Sequence, residues 1–372
     1  MGWLVRRAAS LRRPTTGFLI FPLLLMATRR ASITDLATAL SLSPSTISRA
    51  LSNHKDVSEA TKARVRALAA ELHYQPNQLA AALRRGRSKM LGVVVPHIQG
   101  HFFPEVVHGI TVAASKAGYQ VLICQSNEDA AQERQHLDLF MTAQVEGILV
   151  SLAKTTEDFS HFEQVRAQQV PLVFFDRAVE GFEGEQVRAV VLDDYQGAYQ
   201  AVTHLLNQGC RRVAHLCGSL HLGIHKNRHQ GYLDALATHG LPPDEALTVF
   251  CEMDRRGGTQ ATRQLLRLPQ PPDAIFSSND LAVVGALQVL KKQGRRVPED
   301  VALVGFSNEA FTELTEPQLS SVDQCCGQMG QTAVRLLLQM IQPAARRGAA
   351  SAAKSVVLKP KLIVRESSER RV

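Results

Sequence analysis

Arg49 stands near the end of a short polar run, SLSPSTISRALSN (41–53). Ile47, Ala50 and Leu51 fall on one face at i, i+3 and i+4, while Ser45, Ser48, Arg49 and Ser52 face elsewhere. Hydroxyls and a guanidinium shown together, with no carboxylate from Leu36 to Lys55, suit a face held against phosphates. The run carries its own start signal. Ser43 as N-cap can accept from an orphan backbone N–H, and Pro44 then takes the first helical position, where its missing N–H costs nothing. A second set of candidates lies downstream. Phe102 and Phe103, in HIQGHFFPEV (97–106), could stack on a ligand ring or plug a core. Arg228, in HKNRHQGYLDAL, offers a planar fork of donors for hydroxyl or carboxylate recognition, or is a plain surface charge. Asn279 and Asp280 close an apolar run and can contact a ligand, or Asp280 can cap the helix that follows.

Patterns that would mark catalysis are missing. There is no GxxxxGK phosphate loop, no GxGxxG after the first strand, no HExxH and no GxSxG elbow. GFSNE (305–309) comes nearest to the elbow but has Glu309 where the second glycine is needed. The six cysteines, at 124, 210, 217, 251, 325 and 326, form no CxxC pair and no His/Cys ligand spacing, so reduced thiols and no metal site are expected. No cofactor is implied.

Charge separates the chain into a head and a body. Residues 29–89 hold eleven basic and four acidic groups, whereas everything after them holds 27 basic and 30 acidic. An anionic polymer would therefore be met by the head; a solvated basic surface would give the same sum. Before the head, arginines at 6, 7, 12 and 13 precede the apolar run GFLIFPLLLMA (17–27), too short and too broken by Pro22 to span a bilayer. Translation is expected to start at Met26, making the segment before it a start-site artefact or a disordered tail; residues 1–31 together form an extension ahead of the head. A cytoplasmic protein is expected, since export would part the basic head from nucleic acid.

Three short helices fit the head: TDLATAL (34–40) with Thr34 as cap, the helix from Pro44, and residues 58–74 capped by Ser58 with Val65, Leu68, Ala69 and Leu72 buried. Two helices across a tight turn with a third packed on them make a helix-turn-helix. PNQLAAALRRGRSK (76–89) reads as a short helix and linker, too short to be stable without a partner. From residue 90, apolar runs at 91–96, 119–126, 146–152, 170–176, 188–194, 211–218, 247–252, 273–280 and 301–307 read as strands, separated by helical stretches in the usual parallel-sheet rhythm. Nine strands over this length suggest two doubly wound subdomains.

The sequence from ITDLATALSLSPSTISRALSN through ALRRGRS, with FFDR (174–177), NRHQGYLDAL (227–236), SNDLAVVGAL (278–287), RVPEDVALVGF (296–306) and LIVRESS, strongly resembles the lac-repressor family of bacterial transcription regulators over residues 32–366. The resemblance implies an all-α helix-turn-helix head at 32–75, a hinge helix and linker at 76–89, and an α/β core at 90–366 like periplasmic sugar-binding proteins. One lobe would comprise 91–193 with 324–342, the other 194–322 with a closing strand near 355–365. It implies a homodimer on a pseudo-palindromic operator duplex, with Ser43, Pro44, Ser45, Ser48 and Arg49 in the major groove and Arg49 the base-reading side chain. Ser32, Ser58, Thr61, Tyr74, Asn77 and Ala80 would hold the backbone or groove edge, and Leu83 would wedge into the minor groove. His101, Phe102, Phe103, Asp176, Arg228, Asn279, Asp280 and Ser307 would line a site for a small effector, a sugar or sugar derivative. A purine-type corepressor, or a sugar-processing enzyme with an incidental basic head, are the alternatives. Three departures stand out: short Pro44 and Ser45 at reading positions, Leu40 and Ser41 in place of a small residue and glycine in the turn, and Ser307 and Asn308 where some sugar-binding relatives carry acids. Were Ser41 left-handed, the cost would be roughly 1 to 2 kcal/mol.

Overall fold

A computed structural model of the chain describes residues 31–74, 87–182, 184–342 and 355–370, and these fall into two compact units, each treated by itself. The first holds α1 (Ile33–Leu40), α2 (Pro44–Leu51) and α3 (Glu59–Glu71). Its core is small: Leu36, Ala37, Ile47, Ala50, Val57, Val65 and Ala69, with Leu40, Leu51, Leu68 and Tyr74 packed against them. Ser43 caps α2 with Pro44 in its first turn, and Ser58 caps α3, as the sequence indicates. The cap of α1 is Ser32, not Thr34. Ser32 and Asp35 satisfy each other's backbone N–H groups in a capping box, which draws Ile33 and Thr34 into the helix. Leu72 is also displaced from its expected role: α3 stops at Glu71, and Leu72 is exposed.

Ser41 closes α1 at φ 53°, ψ 42°, the left-handed conformation. A Cβ there is strained, so Ser41→Gly is expected to stabilise the head by up to about 1 kcal/mol, read as a rise in the denaturant midpoint at constant slope.

The second unit contains two six-stranded sheets. In chain order it runs β1 (Met90–Val95), α4 (Phe102–Lys116), β2 (Gln120–Gln125), α5 (Ala130–Thr142), β3 (Gly147–Val150), α6 (Ser160–Ala167), β4 (Leu172–Phe175), β5 (Val187–Leu192), α7 (Asp194–Asn207), β6 (Val213–Cys217), α8 (Gly223–Thr238), β7 (Thr248–Phe250), α9 (Arg255–Leu265), β8 (Ala274–Ser277), α10 (Asp280–Lys292), β9 (Ala302–Ser307), β10 (Ser320–Asp323), α11 (Cys326–Ile341), β11 (Val356–Leu358) and β12 (Lys361–Ile363). Sheet order is β11-β5-β4-β3-β1-β2 in lobe one and β12-β10-β9-β8-β6-β7 in lobe two. All pairings within these sheets are parallel except β10 with β12. Strands β1, β3, β4, β8 and β9 are almost wholly buried, the expected consequence of helices on both faces.

One core cluster takes residues from both lobes, joining Val93, Phe103, Phe175, Tyr232, Phe276, Phe306 and Met329. Helix α11 packs on α4 and lobe one, and α7 packs on α8 and lobe two. Gly330 permits the first of these contacts: a Cβ there would collide with the Val106 carbonyl of α4. The closing segment divides between the lobes instead of serving only the second, with β11 pairing β5 and β12 pairing β10. No helix among the described residues is long and apolar enough to cross a membrane.

Candidate functional site

In the head, α2 exposes Ser43, Pro44, Ser45 and Arg49, with Ser48 half-buried. Ser43 Oγ lies 2.8 Å from both Ser45 Oγ and Thr46 Oγ1 and accepts the Thr46 N–H at 3.1 Å, so the start of this helix is fixed by its own hydroxyls. Arg49 makes no ion pair among the described residues, because the surrounding stretch supplies no carboxylate. Ser32 and Ser58 are both N-caps; Thr61 donates its backbone N–H to Ser58 Oγ at 3.3 Å, and Tyr74 is half-buried against the head core. Asn77, Ala80 and Leu83 lie outside the described residues, as do most of the expected hinge segment and the N-terminal extension.

In the core, strand order reverses between β1 and β3 in one sheet and between β6 and β8 in the other. Crevices at the carboxyl ends of strands flanking such reversals are where open α/β sheets bind small molecules. The loops after β3 meet those after β6 and β7 across the lobes: Lys154 Nζ pairs with Glu252 at 3.2 Å, and His221 Nε2 lies 3.2 Å from the Thr156 carbonyl oxygen. Several non-glycine residues here have left-handed backbones, namely Asp176 (φ 61°), Ser307 (φ 129°), Asn308 (φ 51°) and Cys325 (φ 54°). Strain at the ends of three strands, β4, β9 and β10, points to geometry kept for a site.

Arg228 is the centre of that site. It is 3% exposed, which removes the surface-charge reading. Its Nε donates to Asp194 Oδ1 at 2.8 Å, Nη1 to the Ser278 carbonyl at 2.7 Å, and Nη2 to Gln324 Oε1 at 3.1 Å. Its guanidinium lies 3.7 Å from the centroid of Phe306. Gln324 in turn donates to Ser307 Oγ at 2.8 Å, so Asp194, Arg228, Gln324 and Ser307 form one chain. Burial pushes the Asp194 carboxyl up to about 6 even though Arg228 opposes it, with the Asp176 charge adding to the rise. Asp176 is buried, and burial raises its carboxyl too against the pull of Arg177 and Arg228; the hydrogen bond it receives is a long one of 3.4 Å from Ser151 Oγ.

The other expected residues divide. Phe103 is in the core, 3% exposed, while Phe102 and His101 are partly exposed at the start of α4. Asn279, not Asp280, is the N-cap of α10, accepting the Leu281 N–H at 2.7 Å. The Asp280 carboxylate is engaged inside lobe two, accepting from Ser321 Oγ at 2.7 and 2.9 Å and from the Glu309 N–H at 2.9 Å. Its carboxyl is pushed up to about 7, first by burial and then by the Glu309 charge, against the hydrogen bonds that lower it. A carboxyl raised in the native state from its usual value of 3.8 contributes stability that is complete below that value and is lost as pH rises through 7. The Asp280 contribution is therefore expected to fall from pH 5 to pH 8 while that of buried His225, whose ring is held below its usual range, rises; relative to wild type, Asp280→Asn should gain roughly 2 kcal/mol of stability between pH 5 and pH 8, measured by urea unfolding of both chains at both pH values.

Sequence reasoning missed several residues of the cleft. Asp194 and Gln324 follow β5 and β10, and Arg177 clasps Glu128 through Nη1 at 2.8 and 3.1 Å. His225 on α8 is buried, its Nδ1 has no hydrogen-bond partner, and burial together with Arg228 and Arg177 pushes its ring down to about 3. The one available signal was position: Asp194 and Gln324 are polar residues just past strand ends.

Comparison with known proteins fits this arrangement. Residues 32–77 match the lacI family of bacterial regulatory proteins, and residues 202–368 match a periplasmic binding protein-like domain. The HTH-type transcriptional repressor CytR of Escherichia coli (strain K12) is 34% identical over 312 residues, 84% of this chain and 90% of its own. The chain belongs to the LacI family. Among solved structures, this LacI-family chain is similar to a transcriptional regulator CelR–cellobiose complex at 30% identity and TM-score 0.68, covering 91% of this chain and all of that one. The lac repressor dimer bound to operator and an anti-inducer superposes with TM-score 0.78 at 24% identity, covering 91% of this chain and 99% of that one, a likeness of fold. As a LacI-family member the chain is a DNA-binding transcription regulator and not an enzyme.

Proposed function

We propose that two copies of the chain, in the cytoplasm, read the half-sites of a pseudo-palindromic operator through α2, and that an uncharged sugar or sugar derivative held between the lobes sets the strength of that grip, most simply as an inducer of a repressor. Ser43, Ser45, Ser48 and Arg49 are the proposed groove-facing residues, with Arg49 reading a base edge; Leu83 and the hinge segment are proposed to act in the minor groove. The observation that carries the effector reading is the chemistry of the cleft. Asp176 is a buried acceptor short of donors and His225 Nδ1 a buried polar atom without a partner; ligand hydroxyls, which both donate and accept, would satisfy both. Arg177 and Arg228 are balanced by Glu128, Asp176 and Asp194, so there is no cationic surplus to hold an anion. The cellobiose bound by CelR is of this ligand class.

The ligand must bind the DNA-free arrangement of the lobes more tightly than the DNA-bound one, or it shifts nothing. The test selects bound fragments from genomic DNA at moderate ionic strength, then titrates the recovered operator with mono- and disaccharides and with nucleobases. A sugar that weakens operator binding supports the reading. Tightening by a purine would replace it with the corepressor mode, and absence of any selective fragment would overturn it.

A further inference from the structure

We propose that His215, Cys217 and His229 form a binding site for one divalent transition-metal cation of the zinc class. The residues come from two elements packed face to face. His215 and Cys217 are two apart on β6 and so share one face of the sheet, and α8 lays His229 over that face. One donor atom from each, two imidazole nitrogens and the Cys217 sulfur, lie within 4.8 Å of one another, and this is the cluster of metal-ligating type found among the described residues.

The spacing of the two nitrogens matches a small tetrahedral ion. His215 Nδ1 and His229 Nδ1 are 3.2 Å apart, with the ring planes inclined by 17° and centroids 5.4 Å apart. Two nitrogens bound to one zinc at its usual bond length lie roughly 3.3 Å apart, and a nitrogen and a thiolate sulfur a few tenths of an ångström more. Without a cation these rings share one proton between facing nitrogens. A cation bound by both nitrogens would lie to one side of the line between them, which a small tilt of the rings allows.

The outer contacts suit the bound form. His215 Nε2 lies 2.9 Å from Ser278 Oγ, so the ring can keep its single proton there while Nδ1 ligates. Ser278 itself is fixed, because its carbonyl accepts from Arg228. His215 and Cys217 are wholly buried, whereas His229 is half-buried and leaves a path by which a hydrated ion can enter. Loading balances as follows: the cation sheds water, the Cys217 S–H bond breaks with its proton passing to solvent, the proton between the two Nδ1 atoms moves to His229 Nε2, and one sulfur–metal and two nitrogen–metal bonds form. No electron is transferred. Solvent completes the fourth position, as in zinc sites with three protein ligands.

The test uses the full chain, stripped with chelator and titrated with cobalt(II), following thiolate-to-cobalt charge-transfer absorption, with zinc competing. One equivalent per chain and an intense charge-transfer band are expected. Cys217→Ser should abolish the band, and His229→Gln, at a half-exposed position, should weaken cobalt binding at least tenfold with the melting temperature unchanged. If Cys217→Ser does not fold, His229→Gln decides alone. A wild-type chain that binds no cobalt, a band that survives in Cys217→Ser, or unaltered affinity in His229→Gln would overturn the site. Each outcome is independent of whether a sugar controls operator affinity.

Discussion

Arg49→Ala is expected to lower the ratio of operator to random-duplex affinity by about 1 to 3 kcal/mol per half-site, which is roughly 5- to 150-fold. The reason lies in what else α2 can offer. Ser43 and Ser45 bond each other at 2.8 Å and Pro44 has no polar side-chain atom, so the first turn of the reading helix has little reach. Arg49 is the long donor on that helix, exposed and without an ion pair among the described residues. Non-specific binding should change far less, because it depends on the summed charge of the head. The slope of log affinity against log salt should become shallower by about one for each phosphate that the variant no longer neutralises. The measurement is fluorescence anisotropy with operator and scrambled duplexes over a salt series. Equal weakening on both duplexes would show that Arg49 touches phosphate and not a base.

The second large effect is expected in the core. Arg228→Met should destabilise it by about 3 to 5 kcal/mol, because the Asp194 charge is then left buried without its partner. Asp194 and Arg228 are each about 3% exposed and 2.6 Å apart at their closest atoms. Adding Asp194→Asn removes that charge and should restore part of the stability, whereas a surface pair would show almost no coupling. Denaturant midpoints of the two single variants and the double variant complete the cycle. Effector binding should not return in the double variant, since the donor fork that organises Gln324 and Ser307 is gone. Recovery of stability without recovery of ligand binding would separate the two roles of Arg228.

Much of this molecule was legible because its signals are local. Ser43-Pro44 and Ser58 announce helix starts through side chains that bond their own first turns, and β1, β3, β4, β6, β8 and β9 announce themselves as apolar runs because both faces of the sheet are covered there. The absence of acids from Leu36 to Lys55 already pointed the reading face towards an anionic partner. Strand β10 was not legible, and the family resemblance alone indicated strand near β11 and β12: SSVD, VVL and KLI are too short or too polar to carry a period and become strands only beside β9, β5 and β10. The cleft was half legible. The residues themselves brought out Arg228, and the resemblance Asp176 and Ser307, but which carboxylate faces the cleft and which braces the lobe depends on where β10 and the loop at Glu309 come to lie, and only that packing turned Asp280 inward. His215, Cys217 and His229 make the same point. Their spacing along the chain fits no ligand pattern, and their donor atoms converge because α8 covers β6, a contact between elements that no local rule specifies.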